Sequence, residues 1–303
     1  MIAREIQIEL TANGKMLSNA PHRLGWLISS EPLAPLEVLR EQYHAQGYLW
    51  LKQLLPRPTV LNFRKRYFEA FRDLGLLAPD TDPVVGIGAP EVPANAYVRK
   101  LENQVVRWAF YEAFCLSPQI VEFVETFLRG TTYLHKRKLI RRTHAGSTWS
   151  TPAHYDLTYL RGGTDKSLIT VWIPIGDTPI EMGGLIYLEN SDAAGRKLEA
   201  EFRVKNADLP LEERVSAFNK NMMKGGWLTE DLPTLAERID SRWLVADYEA
   251  GDVVIHSPYM IHAATTNQDF QGRMRLSTDI RYQLADEPID ERWRHDWHHD
   301  DNL

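Results

Sequence analysis

From residue 131 onward the chain breaks into short β-type runs separated by Gly, Asp and Pro, and this spacing limits its architecture more than any other feature. The candidate strands are residues 131–140, 154–160, 167–173, 185–189, 253–256 and 273–283. Many short strands so close together fold as a sandwich or barrel. Between the fourth and fifth lies a long charged insertion, residues 193–242, which is expected to form a lid, a binding loop or a small helical excursion. The first third has a different period. Apart from a strand-like run at 47–52, it carries helical stripes: Val60, Phe63, Tyr67, Phe68 and Phe71, then Val105, Trp108, Tyr111 and Phe114, then Ile120, Phe123, Val124 and Phe127. The whole of 1–303 is therefore expected to be a single domain, with a mostly helical part at 1–130, a β core at 131–283 and a His- and Asp-rich tail at 284–303.

Composition narrows the functional classes. The net charge of −6 gives no basic field for nucleic acid phosphates or anionic lipid, so neither is an expected partner. The single cysteine, Cys115, forbids an internal disulfide and a Cys-only zinc site, leaving His and carboxylates for any metal. The N-terminal stretch has acidic residues where a signal peptide needs an apolar run, and no stretch approaches a membrane span. A cytoplasmic protein without a membrane span is the expectation, as monomer or homodimer.

Ten histidines raise the question of which converge with a carboxylate. In a strand the side chains of His154 and Asp156 point the same way and can chelate one metal. A second histidine completes the two-His, one-carboxylate set that suits non-haem iron and leaves coordination positions open. His256 and His262, in and after the run 253–256, both offer themselves. The tail repeats the tripeptide at His298-x-Asp300 and His299-x-Asp301, but no strand follows to bring a second histidine there. In residues 273–283 polar and apolar side chains alternate. Met274, Leu276, Ile280 and Tyr282 share the packed face, and Arg273, Arg275, Ser277, Asp279 and Arg281 the other. An Arg with a Ser two residues on, aimed into a barrel mouth, is suited to a dicarboxylate.

These residues resemble the phytanoyl-CoA dioxygenase superfamily of Fe(II)- and 2-oxoglutarate-dependent oxygenases. The resemblance rests on the entry run from Gly47, on His154-Tyr-Asp156, on Val171-Trp172-Ile-Pro-Ile-Gly-Asp177 followed by Gly183-Gly184, and on Gly251-Asp252 with His262, Asn267 and the Arg-Leu-Ser run from Arg275. It spans about residues 45–283. It implies a double-stranded β-helix (jelly roll, cupin-like) core, mainly β with flanking α, carrying a helical N-terminal layer. It also implies His154, Asp156 and His262 as iron ligands, with His256 outside the coordination sphere. For the distal carboxylate of 2-oxoglutarate it implies an arginine. The family's usual interval after the last histidine lands on Arg273, whereas the Arg-x-Ser pattern selects Arg275 with Ser277. Trp172 and Lys100 resemble further residues that contact 2-oxoglutarate, and both also suit ordinary packing or solvation.

The implied activity is oxidation of a C–H bond of a small hydrophobic substrate by Fe(II), 2-oxoglutarate and O2, with release of succinate and CO2. Hydroxylation is the default, and desaturation, epoxidation or ring closure are other fates of the same substrate radical. Because Asp156 is retained, the halogenating branch is not implied. Tyr155, Tyr159, Trp149 and the stretch 222–227 are candidate pocket residues, each also suited to core packing. Lys136, Arg137, Lys138, Arg141 and Arg142 form a basic cluster that suits a CoA phosphate, an acidic metabolite of secondary metabolism, or simply a solvated strand edge. Two other classes stay open: a non-catalytic protein binding metal or dicarboxylate, and a hydrolase or isomerase using another divalent metal. An acyl-CoA hydroxylase is a further alternative.

Overall fold

The computed structural model describes residues 5–296 except Glu91 and Met223. The chain begins with a small hairpin of β1 (Thr11–Ala12) and β2 (Lys15–Met16), followed by β3 (Leu24–Trp26). Next come α1 (Leu36–Gln46), β4 (Tyr48–Leu51), α2 (Arg57–Ala70), α3 (Ala94–Asn103), α4 (Ala109–Cys115) and α5 (Pro118–Leu128). β5 (Thr132–Leu134), β6 (Leu139–Thr143), the one-turn α6 (Leu157–Leu160), β7 (Ile169–Pro174) and β8 (Leu185–Leu188) follow. The insertion holds α7 (Asp192–Lys205), α8 (Leu211–Val215) and α9 (Leu232–Ile239). The last strands are β9 (Trp243–Val245), β10 (Val253–His256), β11 (His262–Ala264) and β12 (Arg275–Leu284).

These strands make a six-stranded sheet in the order β4-β10-β7-β12-β5, with β6 also on β12, and a four-stranded sheet in the order β11-β8-β9-β3. The fold is mixed α and β. Period-two alternation explains the layering. Leu49 and Leu51 of β4, Val171 and Ile173 of β7, Val253 and Ile255 of β10, and Leu276 and Ile280 of β12 pack on the helices through Phe63, Phe68, Val124 and their neighbours. The alternate residues point the other way: Trp50, Trp172 and Val254 meet Leu185, Tyr187 and Leu244 of the smaller sheet. That sheet buries its outer face, including Ile186, Leu188, Trp243 and Val245, under N-terminal segments and α9.

Local chemistry sets the helix limits. Pro58 sits in the first turn of α2 and Pro118 in that of α5, where a missing N–H costs nothing. α1 stops at Gly47, whose φ of 79° lets its N–H reach Tyr43 O and whose missing side chain makes room for Met260. Asp231 caps α9 by accepting from the Thr234 N–H.

Three segments depart from the sequence reading, and a fourth takes one of its stated alternatives. The run 131–140 is two strands, because β12 passes from one partner to another: Tyr282 pairs with Leu134, but Asp279 pairs with Leu139. The run 154–160 is no strand. His154 makes one bridge, and the Tyr159 N–H then bonds back to Asp156 O to close the α6 turn. The N-terminal part is not helical before α1: β3 pairs in parallel with β9, covering an edge that would otherwise be bare. The insertion is a helical excursion, and its charged stretches are the outer faces of α7, α8 and α9.

α7 lies hard against the chain that leads to β11. A Cβ on Gly195 would stand 1.9 Å from Tyr259 O. Alanine favours a free helix over glycine by about 1 kcal/mol, yet here Gly195→Ala is expected to destabilise by about 2 kcal/mol through overpacking. Urea unfolding checks this; an unchanged or raised midpoint would contradict the contact.

Candidate metal and cosubstrate site

His154 and His262, distant in sequence, stand directly opposite each other. They exchange both backbone hydrogen bonds, at 3.0 and 2.9 Å, and their ring centroids are 4.3 Å apart. Nδ1 of each ring meets a backbone carbonyl, Pro152 O at 2.8 Å and Met260 O at 2.9 Å. A carbonyl only accepts, so Nδ1 holds the proton and Nε2 presents a lone pair. Both Nε2 atoms lie 3.7 Å from Asp156 Oδ1. All three ligand atoms fall within 4.8 Å of one another, and all three residues are buried.

Asp156 reaches this point from the N-cap of α6, with αR backbone angles. The co-facing of His154 and Asp156 therefore comes from a bridge followed by a helical turn and not from strand alternation. The other carboxylate oxygen is held from behind. Oδ2 accepts from the Thr170 hydroxyl and from His256 Nε2 at 3.2 Å, and Arg281 Nη2 bridges the carboxylate, 3.3 Å from Oδ1 and 3.4 Å from Oδ2. These donors form a register row across the larger sheet: Tyr48 pairs with His256, His256 with Thr170, and Thr170 with Arg281. His256 takes the Tyr187 hydroxyl at 2.9 Å on its other nitrogen. It is thus a support of Asp156 and does not belong to the group of three converging ligand atoms.

Electrostatics prepares these groups for a cation. Burial alone would raise Asp156, but Arg281 and the His256 N–H outweigh it and hold the carboxyl well below its ordinary value. Burial lowers His154, and burial together with the neighbouring His154 lowers His262 well below the usual imidazole range. The set is ionised carboxylate and neutral imidazoles, the protonation state a metal requires. Two neutral histidines and one carboxylate fit Fe(II).

On the same interior face of β12 lie Arg275 and Ser277. Arg275 is 2% exposed, and burial lowers its guanidinium to about 10. Its Nε and the Ser277 Oγ are buried without any hydrogen-bond partner. A buried cation beside an unpaired hydroxyl is costly unless a ligand supplies acceptors. A dicarboxylate such as 2-oxoglutarate does so. Arg273 differs: its Nη2 is 2.6 Å from Asp269 Oδ1 and its Nε bonds the same carboxylate. Trp172 packs against Tyr248, ring centroids 4.7 Å apart, between the sheets. Lys100 is not brought to the site. Its Nζ lies 2.5 Å from Asp73 Oδ1 on the helical layer, because the acidic side chain after α2 faces it there.

Beside the triad opens a cavity of about 370 Å³, lined by Trp149, Tyr159, Trp227 and Trp293 together with arginines and the triad's His154 and Asp156. Of the expected pocket residues, Tyr155 is absent from this wall; its hydroxyl bonds Glu199 at 3.1 Å. Met222 meets Arg161 instead, Nη2 to Sδ at 3.9 Å. The basic cluster is no single patch. Lys136 pairs with Glu112 at 2.6 Å, Arg142 lies over Tyr97 at 4.5 Å on the helical side, and Arg141 turns inward. His298, His299, Asp300 and Asp301 lie outside the described residues.

Sequence reasoning missed Thr170, which sits in an apolar run with nothing to mark it, and the roles of His256 and Arg281. Arg281 carried a usable signal, since its parity on β12 put it on the same face as Arg275 and Ser277. Also missed was the buried pair of Arg161 and Glu199, 2.7 Å apart, which ties α7 to the end of the α6 turn.

Fold and site together define the class: an iron- and 2-oxoglutarate-dependent oxidoreductase. The chain belongs to the phytanoyl-CoA dioxygenase (PhyH) family, whose sequence model matches residues 43–274. It is 26% identical over 260 residues to 1-deoxypentalenic acid 11-beta-hydroxylase of Streptomyces exfoliatus, covering 82% of this chain and 81% of that one. The Streptomyces arenae enzyme of the same name is 24% identical over 260 residues, with the same coverage of both chains. The fold is similar to the alpha-ketoglutarate-dependent carbocyclase SnoK, with a TM-score of 0.54, 19% identity and coverage of 86% of this chain and 88% of that one. It is also similar to the epimerase SnoN, solved with Fe3+, alpha-ketoglutarate and nogalamycin RO, with a TM-score of 0.53, 19% identity and the same coverage. No helix among the described residues is long and apolar enough to cross a membrane.

His135, on the cavity wall, is lowered by burial to about 4. Its unfolded form protonates near 6.5, so the stability of the neutral buried ring is complete above that value and falls as pH drops towards 4. The loss approaches about 3 kcal/mol. In denaturant unfolding, wild type should lose stability between these limits more steeply than His135→Gln; equal slopes would contradict the assignment.

Proposed function

We propose that this protein is an Fe(II)- and 2-oxoglutarate-dependent dioxygenase that hydroxylates a small hydrophobic organic molecule, with His154, Asp156 and His262 as its metal ligands. One observation carries the reading. Two Nε2 lone pairs and Asp156 Oδ1 converge from one side, at the wall of an aromatic cavity. The topology supports it: the two sheets of short, mostly antiparallel strands match the halves of a double-stranded β-helix, or jelly roll, with α1 to α5 packed on the larger sheet. Arg275 with Ser277 is assigned to the distal carboxylate of 2-oxoglutarate, because a buried guanidinium Nε and a hydroxyl two residues on, on one face of β12, both lack hydrogen-bond partners. Trp172 is assigned to the wall beside them.

Iron with 2-oxoglutarate and dioxygen, when bound, supplies oxidation of a C–H bond with release of succinate and carbon dioxide. Everything else is placement by the chain. The carbonyls of Pro152 and Met260 fix both imidazole tautomers, so the lone pairs need no proton removed at neutral pH. Thr170 and His256 hold Asp156 Oδ2, Arg281 Nη2 bridges both carboxylate oxygens, and Oδ1 faces the two histidines. Trp149, Tyr159, Trp227 and Trp293 offer apolar surface that holds a ring-sized molecule and excludes water.

Asp156→Ala and His262→Ala are each expected to abolish Fe(II)-dependent conversion of 2-oxoglutarate to succinate while far-ultraviolet circular dichroism stays unchanged. Succinate formation at the wild-type rate in either variant would refute the ligand assignment. For the clamp, Arg275→Ala should raise the KM for 2-oxoglutarate by about a hundredfold or more, as loss of a charged hydrogen-bonding partner implies. Arg273→Ala should change it far less. The reverse order would move the clamp to Arg273.

A further inference from the structure

The cavity beside the triad combines apolar walls with several guanidinium groups. Its apolar surface comes from tryptophan, tyrosine and leucine, while Arg137, Arg141 and Arg281 line it against one carboxylate, Asp156. That carboxylate is committed to Arg281 and to the triad. A cavity built only to exclude water would have no use for guanidinium groups inside it.

Arg141 is the group placed for recognition. It belongs to β6 and pairs with Ser277, so register puts its side chain on the interior face of the sheet. Asp279 on the neighbouring strand anchors it through Nε alone, at 3.0 Å. Among the described residues, neither terminal nitrogen of the parallel pair that a carboxylate grips from the front has a hydrogen-bond partner. The guanidinium is therefore anchored at its back and open at its front, on the wall it shares with His154. Arg281 cannot serve the same purpose, because its front is turned to Asp156.

We propose that the substrate is a ring-sized apolar acid whose carboxylate is held by Arg141 Nη1 and Nη2, which positions its carbon skeleton among the aromatic walls and selects the C–H bond presented to the triad. The proposal rests on the oxygenase reading and narrows it from a hydrophobic molecule to a hydrophobic monoacid. Bidentate recognition also fixes orientation, since two parallel N–H···O contacts allow one placement of the carboxylate plane.

The test is binding, read by quenching of the cavity tryptophans in the anaerobic enzyme loaded with Fe(II) and 2-oxoglutarate. The probes are 1-adamantanecarboxylate and 1-adamantanecarboxamide, alike in size and different in charge. Wild type should bind the acid about tenfold or more tighter than the amide. Arg141→Gln should remove that preference while leaving amide affinity within about twofold, and Arg141→Lys, which keeps charge but not the fork, should fall between. Equal binding of both probes by wild type, binding of neither, or a preference that survives Arg141→Gln would overturn the proposal. A general loss of structure would weaken both probes equally, so the amide serves as the control. The iron to 2-oxoglutarate charge-transfer absorption, recorded on the same samples, separates the two levels. If it forms and the acid is not preferred, the monoacid assignment alone fails; if it never forms, the oxygenase reading fails and takes this inference with it.

Discussion

The structure depends on one buried carboxylate. Asp156 is 2% exposed, and an ionised carboxylate at that depth persists only with donors arranged around it. Thr170, His256 and Arg281 supply them from adjacent strands of one sheet, and α6 presents the acid from outside that sheet. Thr170 and His256 hold Oδ2 and Arg281 bridges the two oxygens, so that Oδ1 faces two imidazoles whose tautomers are fixed by carbonyls. The site is thus a consequence of strand register. A slip of one residue in β7 or β12 would turn Thr170 or Arg281 towards the helices and leave the acid without support.

The same register sorts the rest of the molecule. In the larger sheet even and odd positions divide between an apolar outer face under the helices and an interior face that carries the polar groups. Along β12 the interior positions run Arg275, Ser277, Asp279 and Arg281, all buried. Each meets a different need: Arg281 supports Asp156, Asp279 anchors Arg141, and Arg275 with Ser277 stays open to a ligand. The aromatic layer of Trp50, Trp172 and Tyr248 fills the space between the sheets. Outside, α7 is fixed by Glu199 to Arg161 at the end of the α6 turn, which links the insertion mechanically to the turn that carries Asp156.

Much of this was legible in the sequence where periodicity speaks. The alternation in β12 put its arginines and Leu276 with Ile280 on opposite faces, as the structure has them, without saying which face the sheet turns inward, and the stripe Val60, Phe63, Tyr67 and Phe68 marked the packed face of α2. His154, Asp156 and His262 could be picked out as a set, and they converge, though by a route the pattern did not contain. Strand alternation was the wrong reason for the first pair, since a helical turn and a strand bridge can bring the same two side chains together. Lys100 failed because a lysine in a helical segment carries no record of which acid lies across from it. Thr170 was invisible because a hydroxyl in an apolar run signals nothing until its partner is known. The parallel pairing of β3 with β9 was equally hidden, because runs of three residues have no period to read.

The most direct test is a crystal structure of the protein grown anaerobically with Mn(II), as a redox-inert substitute for Fe(II), and 2-oxoglutarate, with anomalous data. The account predicts one anomalous peak between His154 Nε2, Asp156 Oδ1 and His262 Nε2, with the distal carboxylate of 2-oxoglutarate on Arg275 and Ser277. Metal bound by His256, or by the histidines near the C-terminus with the triad empty, would contradict it.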